Sequence, residues 1–228
     1  MNIQAILFMC NDFARAKFTL ENFSRWNPEI PIRIINSGGN SPRPHLEHIP
    51  NTEFIDAPNL WHKQTVCGIG SFGPKYYDYL FEYGLNNQYT HTLLLETDVL
   101  TQRKIIKQPT YDISGITNFG GHESIYNFLN IDGHKLHSGC GGTLLSYNYF
   151  ERIASDKNIK DLFNILFDKF SEYYYMDFIT TIIGRKAGCS LGNWSEVSET
   201  KSYHGIHMDK EYLVLPNPAA TLIHNYKI

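Results

Sequence analysis

The sequence lacks the features that mark several large classes of protein. It has four cysteines in 228 residues, Cys10, Cys67, Cys140 and Cys189, and none of them forms a CxxC pair. A disulfide framework or a structural zinc site is therefore not indicated, and a reducing compartment is expected. The N-terminus has no basic region before its short apolar run, and no window approaches the ~20 apolar residues of a membrane span. These absences predict a soluble, cytoplasmic protein without a membrane span.

The chain also lacks an excess of positive charge and the motifs of several common enzymes. Its formal net charge is -3 and its basic residues are scattered, so nucleic acid is not an expected partner. The GxSxG pattern of serine hydrolases and the P-loop of NTPases are absent. Residues 68–73 fit GxGxxG, but no hydrophobic strand precedes them, so a dinucleotide site is not indicated.

Aromatic residues, by contrast, are abundant, with 15 Tyr, 14 Phe and 3 Trp. Most of them are expected in the core, because large rings dominate the energetics of burial. A surplus of Tyr and Trp also suits a sugar-binding protein, since an amphipathic ring can stack on a sugar and still form a hydrogen bond.

Apolar runs typical of strands alternate with segments typical of helices. Ile3 to Met9 predicts a buried first strand, Phe13 to Trp26 a helix after Asp12 as its cap, and Thr90 to Leu95 the clearest strand. Further strands are predicted near residues 31–35, 53–55, 113–116, 213–215 and 220–224, and further helices near residues 74–83, 148–154, 160–170 and 176–187. Residues 40–50 and 61–73 are predicted to be irregular. The alternation predicts an α/β fold in a single domain over residues 1–228, with a mostly parallel central sheet flanked by helices.

Two carboxylates follow the clearest strand directly, in the order Glu96-Thr97-Asp98. Ligands of open α/β sheets bind outside the carboxyl ends of the strands, and at this spacing both acids can turn toward one ion. Hard oxygen ligands suit Mg²⁺ or Mn²⁺, which also bind phosphate oxygens. The motif therefore predicts a site for either cation, although two solvated acids in a loop would give the same pattern.

From this motif the chain resembles the GT-A glycosyltransferases, whose Asp-x-Asp motif follows an apolar strand near the middle of the domain. Glu96 stands in place of the first Asp, which leaves Asp98 as the expected direct ligand. The second strand, which ends in a small-residue turn at Ser37, also fits the family's order of elements. The resemblance implies a Rossmann-like domain in which residues 1 to about 100 bind the nucleotide, with Asn11 and Ser37 near the base or ribose, and the remainder binds the acceptor.

The resemblance implies roles for residues near the C-terminus. A late His-x-x-Lys, here His224 and Lys227, would supply a third metal ligand and a contact to the diphosphate, and Lys75 is a further candidate for the donor phosphate. An exposed tail and a surface lysine are the alternatives.

The resemblance also implies roles for a glycine turn and for a second acid. Gly141 and Gly142 would line the transferred sugar, unless they form only a tight turn. Asp177 would act as the general base of an inverting enzyme, unless it only caps its helix.

These patterns and the resemblance predict a metal-dependent glycosyltransferase that moves a sugar from a nucleoside-diphosphate sugar to a hydroxyl of a glycan or another acceptor. Asp177 as the base favours inversion, but a late His-x-x-Lys also occurs in retaining families, so retention stays an alternative. Two alternatives remain at the sequence level. A sugar-nucleotide pyrophosphorylase would need a basic, glycine-rich loop after the first strand, where the sequence reads CNDFARAK. A non-catalytic carbohydrate-binding protein of the same fold would bind sugar without metal.

Overall fold

A computed structural model describes residues 2–58, 60–64, 70–119, 122–131, 136–137, 141–199, 201–203, 211–213 and 219–224. The strands, in chain order, are β1 (Ile3–Met9), β2 (Ile32–Asn36), β3 (Thr52–Asp56), β4 (Trp61–Gln64), β5 (Gly70–Phe72), β6 (His91–Leu95), β7 (Leu100–Thr101), β8 (Ile113–Gly115), β9 (Asn118–Phe119), β10 (Leu136–His137), β11 (Leu144–Ser146), β12 (Leu191–Asn193), β13 (Val197–Glu199), β14 (Lys201–Tyr203), β15 (Glu211–Leu213) and β16 (Leu222–His224). The helices are α1 (Phe13–Trp26), α2 (Arg43–Leu46), α3 (Lys75–Gly84), α4 (Glu123–Leu129), α5 (Tyr147–Ser155), α6 (Lys157–Phe170) and α7 (Met176–Lys186), with a 3-10 turn at Ser171–Tyr173.

Within the described part of the chain, a seven-stranded central sheet has the order β12-β8-β11-β6-β1-β2-β3. The strands β1, β2, β3 and β6 are parallel, and β12 is parallel to β8. Only β11 runs antiparallel to its neighbours β6 and β8 within this sheet. The predicted α/β fold with a mostly parallel sheet flanked by helices is confirmed.

Helices and a second sheet cover both faces of the central sheet, and its central strands β1 and β6 are accordingly buried on both sides. Along β1, Ala5 and Leu7 face one cluster of buried side chains and Ile6 faces the other, as the two-residue period of a strand requires. One face is covered by α3 to α7. The other face is covered by α1, α2 and a second sheet of order β13-β16-β7. None of the helices described is long and apolar enough to cross a bilayer.

The structure corrects several predictions of local structure. The stretch predicted as a loop between residues 40 and 50 contains α2, where Pro42 and Pro44 occupy the first turn that proline tolerates. Residues 61–73, predicted as irregular, contain the paired strands β4 and β5. Asp12 precedes α1 but makes no capping hydrogen bond from its side chain. The helix α4 was not predicted, because its seven residues are too short to show a clear helical period.

Candidate active site

The carboxyl ends of the parallel strands define one edge of the central sheet. At this edge β1 is followed by Asn11, β2 by Ser37 and β6 by Glu96. Because β11 runs in the opposite direction, its amino end, preceded by Gly142, lies at the same edge. This edge, called here the carboxyl edge, is where ligands of open α/β sheets bind.

The acid pair lies in a tight turn that is held on both sides. The Val99 amide donates to the Glu96 carbonyl at 3.2 Å, and Val99 is fully buried. On the other side, the buried Thr19 hydroxyl of α1 donates to the Thr97 carbonyl at 2.9 Å. The Thr97 hydroxyl donates to the Asp12 carboxylate at 3.3 Å. Thr97, between the two acids, is therefore held by Thr19 of α1 and by Asp12, which directly precedes α1.

Both acids are half-buried, and the chain continues from them directly into β7 of the second sheet. The Oδ1 atom of Asp98 is shielded from solvent. In the antiparallel pair formed by β7 and β16, Leu100 lies opposite Ile223. Continuing this register by one residue places the backbone of His224 opposite Val99, next to Asp98 along the chain. The backbone of His224 is thus close to the acid pair, while Lys227 lies outside the described residues.

Asp177 reaches the same edge from the second half of the chain. Its helix α7 begins at Met176, whose carbonyl accepts a hydrogen bond from the Tyr77 hydroxyl at 3.1 Å, so that the starts of α3 and α7 are joined. The Asp177 carboxylate accepts the amide N–H of Phe178 at 2.8 Å. Asp177 is the second residue of the helix and follows Tyr175 at the cap position.

Tyr76 connects Asp177 with the acid pair. Its ring is buried and lies 4.1 Å from the ring of Phe8 near the end of β1. Burial raises the pKa of Tyr76, and the negative charges of Glu96 and Asp177 raise it further. Both carboxylates therefore lie within electrostatic range of one phenol, although they are far apart in the sequence.

The first two strands provide a second wall of the site. Asn11 is exposed and adopts a positive φ of 54°, and its side-chain oxygen accepts the amide N–H of Asn40 at 2.9 Å. Gly39 approaches so closely that a Cβ there would meet the Asn11 side chain at 2.3 Å. Ser37 is buried, and its hydroxyl donates to the Met9 carbonyl at 2.7 Å. Asn11 is thus the more accessible of the two predicted nucleotide contacts.

A groove that includes Phe13, two residues after Asn11 in the chain, was not identified from the sequence. It lies between α1 and α2 and has a volume of about 480 Å³. Its lining residues are Phe13, Ala14, Lys17, Pro44, His45 and His48. The Phe13 and His45 rings are stacked at 4.5 Å with an interplanar angle of 13°. The signal in the sequence was the pair His45 and His48, whose spacing places both side chains on one side of a helical turn; it was missed because α2 was predicted to be a loop.

Glycines and one lysine complete the described part of the site. Gly141 and Gly142 are buried, and the Gly142 amide donates to the Leu94 carbonyl at 2.8 Å. A Cβ at Gly142 would lie 2.6 Å from Cγ2 of Val197. The glycine turn thus allows the second sheet to approach β6.

Lys75 is exposed at the first position of α3, next to Tyr76.

The donor set near the acid pair fits a hard divalent cation. Two carboxylates in one short turn provide oxygen ligands, and the backbone of His224 lies beside them. The side chains described in the structure do not include a group of three His, Cys, Asp or Glu that could hold a metal. The side chain of His224 lies outside the described residues, so the predicted third ligand remains a prediction.

Comparisons with known proteins agree with this architecture. No protein-family model and no curated protein sequence match the chain. The galactosyltransferase LgtC, in a complex with donor and acceptor sugar analogues, aligns over 98% of this chain and 86% of its own, at 12% identity and a TM-score of 0.57. A structure of LgtC with a substitution in its active site gives 13% identity, the same coverage and a TM-score of 0.60. The bifunctional glycosyltransferase WbbM aligns over 98% of this chain and 45% of its own, at 10% identity and a TM-score of 0.53. The chain therefore has the GT-A fold of these glycosyltransferases.

Proposed function

We propose that this protein is a metal-dependent glycosyltransferase that uses a nucleoside-diphosphate sugar. The main support is the position of the acid pair, Glu96 and Asp98, in a fixed turn at the carboxyl edge of a GT-A fold. The convergence of Asp177 and His224 toward the same edge is consistent with this function. Asp177 and His224 are both far from the acid pair in the sequence, and the fold brings them toward it.

The donor nucleotide would lie across the ends of β1 and β2. The exposed amide of Asn11 offers hydrogen bonds to a ribose or base, and the stacked rings of Phe13 and His45 offer an aromatic surface in the adjacent groove. Lys17 lines the same groove, and Lys75 lies beside Tyr76, so that both can place positive charge near the phosphates.

Glu96, Asp98 and His224 would hold Mn²⁺ or Mg²⁺ at the diphosphate. The cation would supply Lewis-acid stabilisation of the negative charge on the leaving group. Thr19 and Asp12 keep the turn between the two acids in place. The half-buried position of both acids would strengthen their attraction for the cation, because the local dielectric is lower than that of water.

The acceptor would approach from the side of α7. Asp177 would take the proton of the acceptor hydroxyl as that oxygen attacks the sugar, which gives an inverting transfer. Asp177 lies in the first turn of α7, where the backbone N–H groups carry partial positive charge. Tyr76 lies within electrostatic range of both Asp177 and Glu96.

A ligand screen tests the proposal directly. The full chain would be mixed with UDP-, GDP-, CDP- and ADP-sugars, with and without Mn²⁺, and its thermal stability measured. A ligand at about 100 times its Kd should add about 2.7 kcal/mol of stability. Release of the nucleoside diphosphate in the presence of simple sugar acceptors would then report transfer.

The variant Asp98→Ala should lose both Mn²⁺-dependent stabilisation and transfer, whereas Asp161→Ala on α6 should keep both. Transfer by Asp98→Ala at the wild-type rate in the presence of EDTA would contradict the proposed role of the metal.

A further inference from the structure

A basic surface with two exposed apolar side chains lies on the α1 side of the molecule. Trp26 at the end of α1 has 42% of its surface exposed, and Ile106 after β7 has 72% exposed. Both are flanked by exposed basic residues. The basic-apolar surface consists of Arg25, Trp26, Arg103, Lys104, Ile106 and Lys107.

Specific contacts bring the two segments of this surface together. The side-chain oxygen of Asn27, next to Trp26, accepts the amide N–H of Ile105 at 2.9 Å. Lys104 forms an ion pair with Glu29 at 2.6 Å. Ile105 is buried in the core beneath the surface, so that its neighbour Ile106 is directed to solvent. The exposure of Ile106 therefore follows from a fixed backbone.

The charge of this surface is opposite to that of the whole chain. Residues 99–111 contain no Asp or Glu, whereas the chain has a net charge of -3. Glu29 contacts this surface through its ion pair with Lys104, and the hydrogen bond from Lys104 lowers the pKa of Glu29. Lys107 donates a hydrogen bond to the Ser195 hydroxyl at 3.2 Å. Because this hydroxyl is neutral, the contact does not neutralise the charge of Lys107. The surface thus keeps a clear excess of positive charge.

We propose that the basic-apolar surface docks onto a membrane leaflet that contains anionic lipid headgroups. Lysine and arginine side chains bind such headgroups, and Trp favours the boundary between headgroups and acyl chains. An isoleucine exposed between cations fits this boundary, because it can enter the acyl region while the neighbouring charges stay at the headgroups. A purely acidic protein surface would match the charges but would leave Ile106 and Trp26 without an apolar partner. This proposal does not depend on the proposed transferase activity.

Vesicle sedimentation with the full chain tests the proposal. The protein would be mixed with phosphatidylcholine vesicles that contain no phosphatidylglycerol or about 30% phosphatidylglycerol. Binding is expected only with the anionic lipid and should weaken at roughly 500 mM NaCl, because salt screens the headgroup charge. The tryptophan fluorescence should shift to shorter wavelength on binding, and the shift should be absent in Trp26→Phe. That variant keeps the other two tryptophans, Trp61 and the buried Trp194, so the comparison assigns the shift to Trp26.

Two variants separate charge from apolar insertion. Arg103→Gln/Lys107→Gln should weaken binding by about 30-fold, since each cation near the surface contributes about fivefold. Ile106→Ser should weaken binding by about tenfold without changing the charge. Ile165→Ser, which removes another exposed isoleucine on α6, should have no effect.

Equal binding to neutral and anionic vesicles would overturn the proposal. Wild-type affinity of Ile106→Ser would also overturn it, because the surface would then act through charge alone. Binding to polyglutamate but not to anionic vesicles would identify an acidic protein as the partner instead.

Discussion

Thr19 shows how a residue outside the acid pair can control it. Its side chain is fully buried, and its hydroxyl is hydrogen-bonded to the carbonyl between Glu96 and Asp98. The sequence did not indicate this role, since a Thr inside a predicted helix has no visible partner elsewhere in the chain. The contact depends on how α1 packs across the end of β6, which is a tertiary property.

Replacement of Thr19 by Val should weaken cation binding more than it weakens the fold. Val keeps the shape of the side chain but cannot donate to Thr97, so the turn loses one of its fixed points. Loss of such a supporting contact typically lowers metal affinity by about 10- to 100-fold, while the free energy of unfolding should fall by about 1 kcal/mol. Calorimetric titration with Mn²⁺ and UDP measures the first effect. Thr19→Ser, which keeps the hydroxyl, serves as the control, and an unchanged Mn²⁺ affinity in Thr19→Val would contradict the positioning role.

Asp112 has a structural role at the opposite edge of the central sheet. Its carboxylate accepts hydrogen bonds from the Ser146 hydroxyl at 2.9 Å, the Asn148 amide at 2.7 Å, and the backbone N–H and hydroxyl of Ser190, each at 2.9 Å. It therefore links the start of β8 to the start of α5 and to the residue before β12. Burial acts to raise the pKa of Asp112, but these hydrogen bonds outweigh burial and lower it.

The lowered pKa predicts how the stability contributed by Asp112 depends on pH. A carboxyl group with a lower pKa in the folded state stabilises the protein above its unfolded pKa of about 3.9, and this stabilisation is lost as the pH falls through the folded pKa. Asp112→Asn should therefore destabilise the protein by about 1–3 kcal/mol near pH 7. The difference from wild type should shrink below about pH 4.

Urea unfolding at several pH values measures this difference. Mn²⁺-dependent nucleotide binding, at the other edge of the sheet, should be unchanged in the same variant. A destabilisation that stays constant down to about pH 2 would show that the charge of Asp112 is not involved.

At the level of elements, the sequence predicted best where the local pattern and the tertiary environment agree. The bounds of β1 and α1 were predicted to the residue, because a continuous apolar run suits a strand buried on both faces and an amphipathic period suits a helix on its surface. The antiparallel direction of β11 could not be predicted, since it depends on pairing with β6 about fifty positions earlier.

Gly84 illustrates a residue whose role depends on tertiary packing. It is the last residue of α3 and is not among the residues with positive φ, so a left-handed conformation does not explain the glycine. A Cβ at Gly84 would lie 2.3 Å from the ring of Phe150. Close packing against α5 explains the glycine here, and no local pattern in the sequence indicates that contact.

Gly142 should tolerate no side chain, for two independent reasons. Its φ of 93° is unfavourable for other residues, and an added Cβ would lie 2.6 Å from Val197 in the second sheet. Gly142→Ala should lower the free energy of unfolding by about 1–3 kcal/mol from backbone strain alone, and by more if Val197 cannot move. Thermal or urea unfolding measures the loss.

Adding Val197→Ala should recover only the part of this loss that comes from the clash. The control is Gly73→Ala, where the nearest atoms to a Cβ are those of Phe167 at 3.8 Å. Wild-type stability of Gly142→Ala would mean that the glycine turn is not held in this conformation.

At the scale of the whole molecule, the candidate site forms where the two halves of the chain meet. The acid pair ends β6 in the first half, while α7 and β16 bring Asp177 and His224 from the second half. The sequence predicted each of these residues separately, on the basis of motif and family resemblance. The family resemblance implied that they share one site. The sheet order and the contact between the starts of α3 and α7, which bring these parts of the chain to one edge, could not be predicted from the sequence.

This arrangement leads to a prediction that separates catalysis from folding at Asp177. Asp177→Asn keeps the size of the side chain and an oxygen that can accept the Phe178 amide N–H, so stability should change by less than the ~1 kcal/mol typical of a lost helix cap. The helix itself remains anchored by its buried residues, including Phe178 and Ile182. Loss of a general base should instead lower turnover by about 10²- to 10⁴-fold, with little change in donor affinity.

Turnover, donor Kd and the unfolding midpoint should therefore be measured on the same preparation of Asp177→Asn. Asp168→Asn, on the solvent-exposed side of α6, provides a control for the loss of one carboxylate. A large fall in turnover with unchanged Kd and midpoint would support Asp177 as the base, because a merely structural residue would move the midpoint. Near wild-type turnover would instead restrict Asp177 to a local contact in the first turn of α7, and the inverting mechanism would lose its main support.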